Sequence, residues 1–454
     1  MRRRTLEEQR RLFGFGLLGV IALGLLWHFS PGLPVIFGPW ASASTRQAGL
    51  EWFTREWEPN DPESHGDGLG PVFNARSCVA CHHQGGVGGG GGNQFNVLNF
   101  VVTPNERDRE MVSGTIHTHA VSKDYQESFD LVRKKYPVIK GGQRIVDHCA
   151  VFVADVDPLS TESIQTTALW GAGWIDRISD KAILKNRRGH LLTGIMDELR
   201  AKFNEIPIGR VRHLPGGKIG RFGWKAQFAT LEEFVAAACA NELGLGTPYS
   251  KQAQPFGRPD YPDVEPDLDR KQFRQLVAFV ETLPRPIEAV PESPSERERV
   301  EQGRALFHQV GCAICHVPDL GGVKGIYSDL LLHRITDPTP SGGGGSGYGR
   351  PAPPPDVPIP DGEPHPDEWR TPPLWGVADS APYMHDGSAP TLEAAITRHG
   401  GAAKPSRDAY RQLSSEQKQA LLAFLSSLKA PPDAIPVAVR EERPANRSGI
   451  RAAR

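Results

Sequence analysis

Apolar positions recur at helical spacing along 191–203, 231–243, 269–283, 296–309, 391–399 and 414–428 of this 454-residue chain, which predicts amphipathic helices there. In "APTLEAAITRHGG" (389–401), Thr391 is a fitting N-cap, and Leu392, Ala395, Ile396 and His399 share one face. Gly400 and Gly401 then stop the helix. The apolar face therefore ends in an imidazole, which reads either as a satisfied core histidine or as a ligand. Alternating strand patterns are few, so the expected class is mostly α with extensive coil.

One apolar run is of another kind. "LFGFGLLGVIALGLLWHF" (12–29) carries no formal charge over 18 residues and follows the basic "MRRRTLEEQRR". This predicts an N-terminal signal or membrane anchor within 1–45, with an uncleaved helix preferred over cleavage at "ASA" (41–43). The arginines before the run place the remainder on the periplasmic side of a bacterial cytoplasmic membrane.

Polar, Pro-rich and Gly-rich stretches divide the rest. A first region, 46–283, is followed by a charged, Pro-containing linker at 284–295, a second region at 296–430 and a tail at 431–454 expected to be disordered. Residues 338–366 read as a long low-complexity loop and "GGVGGGGG" (85–92) as a flexible run. With 52 basic against 53 acidic residues, the net charge of −1 gives no reason to expect a nucleic-acid partner.

Four of the six cysteines form two CxxCH motifs, "CVACH" (78–82) and "CAICH" (312–316). This is the c-type haem attachment pattern. Cys78, Cys81, Cys312 and Cys315 would add across haem vinyl groups, with His82 and His316 as proximal iron ligands. One motif alone would also suit a zinc half-site or a redox dithiol; two in an exported chain favour two covalent haems. His83 reads as a solvent-facing neighbour. Cys149 and Cys239 either form a disulfide in the oxidising exported space or remain two buried thiols.

The stretch after each motif repeats. "TTALWGAG" (166–173) is similar to "RTPPLWGVA" (370–378), and "RFGWKAQFATLEEFVAAACANELG" (221–244) to "PYMHDGSAPTLEAAITRHGG" (382–401). Aligning the second pair at an offset of 161 sets His385 on Trp224 and His399 on Ala238. One copy ends its helix face in an imidazole and the other in a methyl group. The duplication thus predicts a closed C-terminal haem, ligated by His399, and an open N-terminal haem over Ala238.

"GPVFNARSCVACH", "YSDLLLH" (327–333) and "RTPPLWGVADSAPYMHDGSAPTLEAAITRHGG" resemble the bacterial di-haem oxidoreductases related to cytochrome c peroxidase, in particular the thiol oxidoreductase branch. The methylamine-dehydrogenase maturation enzyme and the haem-dependent rubber oxygenases are more distant relatives. The resemblance implies two cytochrome c-like haem domains and makes His399, fourteen residues after His385, the sixth ligand of a bis-His haem. It also implies that Trp224 lies between the haems and that Glu242, four residues after Ala238, moves protons at the open haem. At the end of a helix that carboxylate should have a raised pKa. The family's switchable distal histidine has no clear match; His117, His119 and His148 are the substitutes. Met384 is a lesser alternative ligand, His385 a hydrogen-bonding neighbour of the haem, and His333 has no assigned role. Calcium between the haem domains is allowed by the same resemblance.

The expected function is a membrane-anchored, exported, peroxidase-like di-haem oxidoreductase. Electrons would come from a small redox donor: a cytochrome c, a copper protein or a quinol-linked carrier. The alternatives are an electron-transfer subunit with two six-coordinate haems, or an oxygenase or protein-modifying relative.

Overall fold

The computed structural model describes residues 40–102, 112–146, 149–153, 155, 157–187, 209–258, 260–335, 362–365 and 367–437. Helix α1 (Ala43–Thr54) starts at Ser42, whose side chain accepts from the Thr45 N–H. α2 (Cys78–Cys81) is the single turn of the first CxxCH motif. Strands β1 (Val97–Val102), β2 (Val112–Ile116) and β3 (Leu159–Ile164) form an antiparallel sheet with β1 in the centre. α3 (Ala172–Asp176) precedes α4 (Leu231–Glu242), which opens on a capping box between Thr230 and Glu233. α5 (Arg270–Glu281) closes the first half and α6 (Pro294–Gln309) leads into the second CxxCH motif. β4 (Leu332–Arg334) pairs antiparallel with β5 (Glu368–Arg370), and α7 (Leu392–Arg398) and α8 (Ser415–Ser427) follow.

Each half has the same helix crossing. α1 packs on α5 at Gly49, where any Cβ would strike the Phe279 Cβ at 2.5 Å. α6 packs on α8 at Gly303, against the Ala420 carbonyl and Phe424. Only glycine lets the helix axes approach this closely. Phe53, Leu276 and Phe279 fill the first core; Phe307, Tyr410 and Phe424 fill the second.

The expected class needs correction: the described residues are 37% helical with 15% strand, an α-rich mixture rather than a mostly α fold. The strands escaped notice because they do not alternate. "VLNFVV" is buried at five of its six positions, as a central strand covered on both faces is, and "LSTESI" carries polar residues inward. Among the described residues no helix is long and apolar enough to cross a membrane, so the expected N-terminal membrane helix finds no support there. Residues 12–29 and the helix expected at 191–203 lie outside the described residues, as does most of the 338–366 loop.

The glycine run is no flexible segment. Residues 86–91 are buried, and Cβ atoms at Gly89 and Gly91 would collide with the Gln84 and Cys81 carbonyls, so the run wraps the first motif tightly. The linker is pinned where Ile287–Glu288 pairs with Leu428–Lys429. The start of the tail, through residue 437, packs on the first core by Ala434 and Val437, and the Val87 N–H donates to the Ile435 carbonyl at 2.8 Å.

The two LWG repeats meet each other. A Cβ on Gly171 (φ +74°) would lie 2.5 Å from the Trp375 ring, and one on Gly376 (φ +71°) 3.2 Å from the Trp170 ring. Each glycine thus receives the tryptophan of the other copy. Gly171→Ala should destabilise the protein by about 1–3 kcal/mol, from left-handed strain plus overpacking. Gly325→Ala, at φ +69° with nothing within 4 Å, should cost only the backbone part. Urea unfolding of both variants checks the difference.

Candidate functional site

Both CxxCH imidazoles are fixed through Nδ1. His82 Nδ1 lies 3.1 Å from the Gly89 carbonyl oxygen and His316 Nδ1 2.9 Å from that of Tyr327. Donation from Nδ1–H to a carbonyl leaves Nε2 as the lone-pair nitrogen, the arrangement that metal-bound histidines adopt. Burial pushes both rings down to about 4, so each is neutral at ordinary pH. The His82 carbonyl partner comes from the buried glycine run and the His316 partner from "YSDLLLH". The latter segment braces the second motif further: Asp329 N–H donates to the Cys315 carbonyl at 2.9 Å, and Ser328 Oγ to the Thr371 carbonyl at 2.7 Å.

His399 has the same signature. It terminates α7, its Nδ1 sits 2.7 Å from the Ala395 carbonyl, and burial depresses its pKa. His316 and His399 both line one large cleft, together with Cys312, Cys315, Met384 and Trp375. The Gly400 N–H, donating to the Ile335 carbonyl at 2.7 Å, anchors the turn that carries the ring. Met384 occupies a turn at φ +72°. The cleft encloses about 2060 Å³ of atom-free space, part of it open to solvent.

His82 lines a second, smaller cavity with Cys78, Cys81, Ala238, Cys239 and Glu242. Thr166, Leu169 and Phe234 line both spaces, so the cavities share a wall. Glu242 Oε2 accepts from Asn74 Nδ2 at 2.8 Å, and its carbonyl accepts the Asn74 and Ala75 N–H groups, which ties the end of α4 to the approach to the first motif.

The offset of 161 is visible in the backbone. Phe222 and Phe228 bridge one turn, and Tyr383 and Ala389 bridge its counterpart, with positive φ at Gly223 and Ala226 matched by Met384 and Gly387. Trp224 and His385 occupy the same place in the two turns and touch, ring centroids 6.5 Å apart. Trp224 lines the large cleft, and its Nε1 donates to the Gln165 carbonyl at 2.9 Å, beside the shared wall.

Several expected substitutes are placed elsewhere. His117 is buried between Glu127 (Nδ1 to Oε2, 2.7 Å) and the Asn241 carbonyl (3.0 Å), a satisfied core histidine. His119 stacks on Phe73 in a strand pair, and His148 lies outside the described residues. Cys239 is a free buried thiol, not half of a disulfide.

Other buried groups went unread in the sequence. His333 donates from Nε2 to Asp329 Oδ2 at 2.7 Å, with Nδ1 3.7 Å from Cys315 Sγ. Burial works against a charge on this ring, yet the Asp329 carboxylate holds it well above its ordinary value. Cys315, Asp329 and His333 bring three potential ligand atoms within 4.8 Å, but the cysteine belongs to the attachment motif. On the cleft wall, Trp369 stacks on His385 at 3.5 Å, and Lys225 Nζ stands 3.4 Å over the Trp369 ring. His385 Nε2 lies 3.3 Å from Oε1 of the buried Glu162. His385 Nδ1, Trp369 Nε1 and Gln165 Oε1 are buried without hydrogen-bond partners. An apolar cleft with paired thiols, two neutral imidazoles and unmet polar atoms on one wall fits a haem, whose faces are apolar and whose propionate edge is polar. Glu162 was legible only as a polar residue on the inward face of a strand that was not foreseen.

Residues 259–428 match the family described as "Di-haem oxidoreductase, putative peroxidase". That segment belongs to the di-haem oxidoreductases. The family implies haem cofactors and an oxidoreductase activity. No curated protein matches the chain. Among solved structures it is similar to hydrazine synthase of Kuenenia stuttgartiensis, at 15% identity and TM-score 0.31 over 59% of this chain and 73% of that one. It is also similar to a MauG-like protein associated with microbial copper homeostasis (21%, TM-score 0.24), over 35% of this chain and 52% of that one. The diheme peroxidase BthA of Burkholderia thailandensis (17%, TM-score 0.23) is covered over 50%, against 35% of this chain. The chain therefore spans about half the length of these two di-haem proteins.

The charge on the cleft wall has a consequence for stability. Burial depresses Lys225 from 10.5 to about 7. Between those values the unfolded chain holds a proton that the folded chain has released, so stability should rise with pH by up to about 1.4 kcal/mol per unit. Lys225→Met should remove that slope. Urea unfolding between pH 7 and 10 measures it.

Proposed function

We propose that the chain is a c-type di-haem oxidoreductase with peroxidase-like chemistry, closed at the C-terminal haem and open at the N-terminal one. The observation that carries this reading is the asymmetry of the duplicated helices: α7 presents His399 to the His316 cleft, whereas α4 presents Ala238 and Glu242 to the His82 cavity. Cys78 and Cys81 would hold one haem with His82 as its ligand, and Cys312 and Cys315 the other between His316 and His399. Bound haem would supply electron transfer at the site with two imidazoles and peroxide binding at the site with one.

The side chains divide the remaining work. Hydrogen peroxide needs two electrons and two protons to become two waters. Glu242, held by Asn74 at the rim of the Ala238 opening, gives and takes protons there. Trp224, on the cleft side of the wall between the cavities, offers an aromatic step for electrons crossing it. The Gly89 and Tyr327 carbonyls keep the proximal imidazoles in the ligating tautomer. A small redox protein is the electron donor, and an exported setting suits the paired attachment motifs.

Electron paramagnetic resonance of the purified protein should show one low-spin and one high-spin haem; two low-spin haems would defeat the open-site reading and favour an electron-transfer subunit. His399→Ala should convert the low-spin signal to high spin. In a peroxide assay with a reduced cytochrome donor, Glu242→Gln should lower turnover by about 10²–10⁴-fold without changing the spectrum.

A further inference from the structure

The mechanism above makes no use of the most heavily buried charges near the cleft. Glu162 sits on β3, facing inward, with both carboxylate oxygens lacking a hydrogen bond of good geometry. His385 Nε2 stands 3.3 Å from its Oε1. The His385 ring is clamped flat against Trp369, and its Nδ1 is unpartnered on a residue that lines the cleft. Lys225, fully buried on the far side of the stack, donates from Nζ to the Glu368 carbonyl at 2.7 Å.

Several other charges around this column have counter-charges of their own, while Arg370, buried on the cleft wall, donates from Nε to the Gly223 carbonyl at 2.8 Å. Glu368 pairs with Arg210, Asp367 with Arg334 and His365, and Arg212 with Glu363. Asp386, on the same turn as His385, accepts the Ser388 N–H at 3.0 Å. Asn99, the register partner of Glu162 on β1, is uncharged. At the centre of the column a carboxylate and an imidazole face each other, with the Lys225 side chain nearby. Burial raises the Glu162 carboxyl above its ordinary range, while His385 and Lys225 draw it back. A low-dielectric site of this kind responds strongly to any charge added beside it.

We propose that Glu162 and His385 form a proton-holding pair coupled to the His316–His399 cleft, so that an electron arriving there is matched by a proton taken up on the pair. This rests on the reading that the cleft holds a haem. The balance is simple: the donor supplies one electron to ferric iron, solvent supplies one proton, and the positive charge of the pair rises as that of the iron falls. His385 is the half of the pair on the cleft wall and Glu162 the half behind it. Both are positioning residues, since neither needs to touch peroxide. The proton is also held beside Trp224, whose ring contacts His385, so the pair would set the charge felt by an electron crossing the wall.

The test is a spectroelectrochemical titration of the low-spin haem in the full-length protein between pH 5 and 8. One proton taken up per electron moves the midpoint by up to about 59 mV for each tenfold change in proton activity. The wild-type midpoint should fall with rising pH, and Glu162→Gln and His385→Gln should each flatten the line, with the N-terminal haem spectrum intact as a folding control. A flat wild-type line, or a wild-type slope in both variants, overturns the proposal. The spin states report on the haem assignment separately. A flat line with one high-spin and one low-spin haem sinks only the proton pair, and two low-spin haems with a Glu162-dependent slope sink only the open site.

Discussion

The reciprocal contact between Trp170 and Gly376 and between Trp375 and Gly171 is the constraint on which the rest of the molecule depends. Each glycine adopts a left-handed backbone just before a helical turn, and each is covered by the indole of the other copy. Because the same residues serve on both sides, the two LWG segments meet through equivalent contacts. That relationship brings the two equivalent turns, with Trp224 and His385, into contact and makes the two cavities share Thr166, Leu169 and Phe234. A substitution that opened the joint would disturb every one of these distances together.

Within that symmetric frame the chemistry is made unequal by few residues. Three imidazoles are held the same way, Nδ1 on a backbone carbonyl, although the carbonyls come from a glycine turn, a loop and a helix's own last turn. The common requirement is an available Nε2 on a neutral ring. Where the fourth imidazole would stand, α4 carries Ala238, and four residues further on it places Glu242 within the same cavity. A methyl group thus stands where α7 has an imidazole, and a carboxylate from the same helix lines the cavity that His82 lines.

Much of this was legible in the sequence because it depends on local spacing. CxxCH needs one turn to present its residues, the offset of 161 survives as matched turns with matched positive-φ positions, and Thr391 caps α7 as its pattern implies. What stayed hidden depends on partners far apart along the chain. The glycine run looked flexible because glycine permits freedom, but here it permits close approach: it wraps Cys81 and supplies the carbonyl for His82. The role of "YSDLLLH" was invisible because its backbone, not its side chains, receives His316. The sheet was missed because β1 is covered on both faces, which erases the alternation that marks a strand. The Gln165 carbonyl and the inward face of β3 became meaningful only once Trp224 and His385 had been placed against them.

The buried polar wall follows from the same asymmetry. An all-apolar lining would hold a haem by burial alone, but moving an electron into such a cleft would leave a charge change that nothing compensates. Water cannot screen it there, and the cost of an uncompensated charge rises as the effective dielectric falls. Glu162 and Lys225 are themselves expensive to bury, and a Leu and a Met of similar size would pack at lower cost. Their presence around the Trp369–His385 stack, on the wall of the cleft and against Trp224, is hard to explain as a device for stability. It is explained if the wall must change its charge when the cleft does.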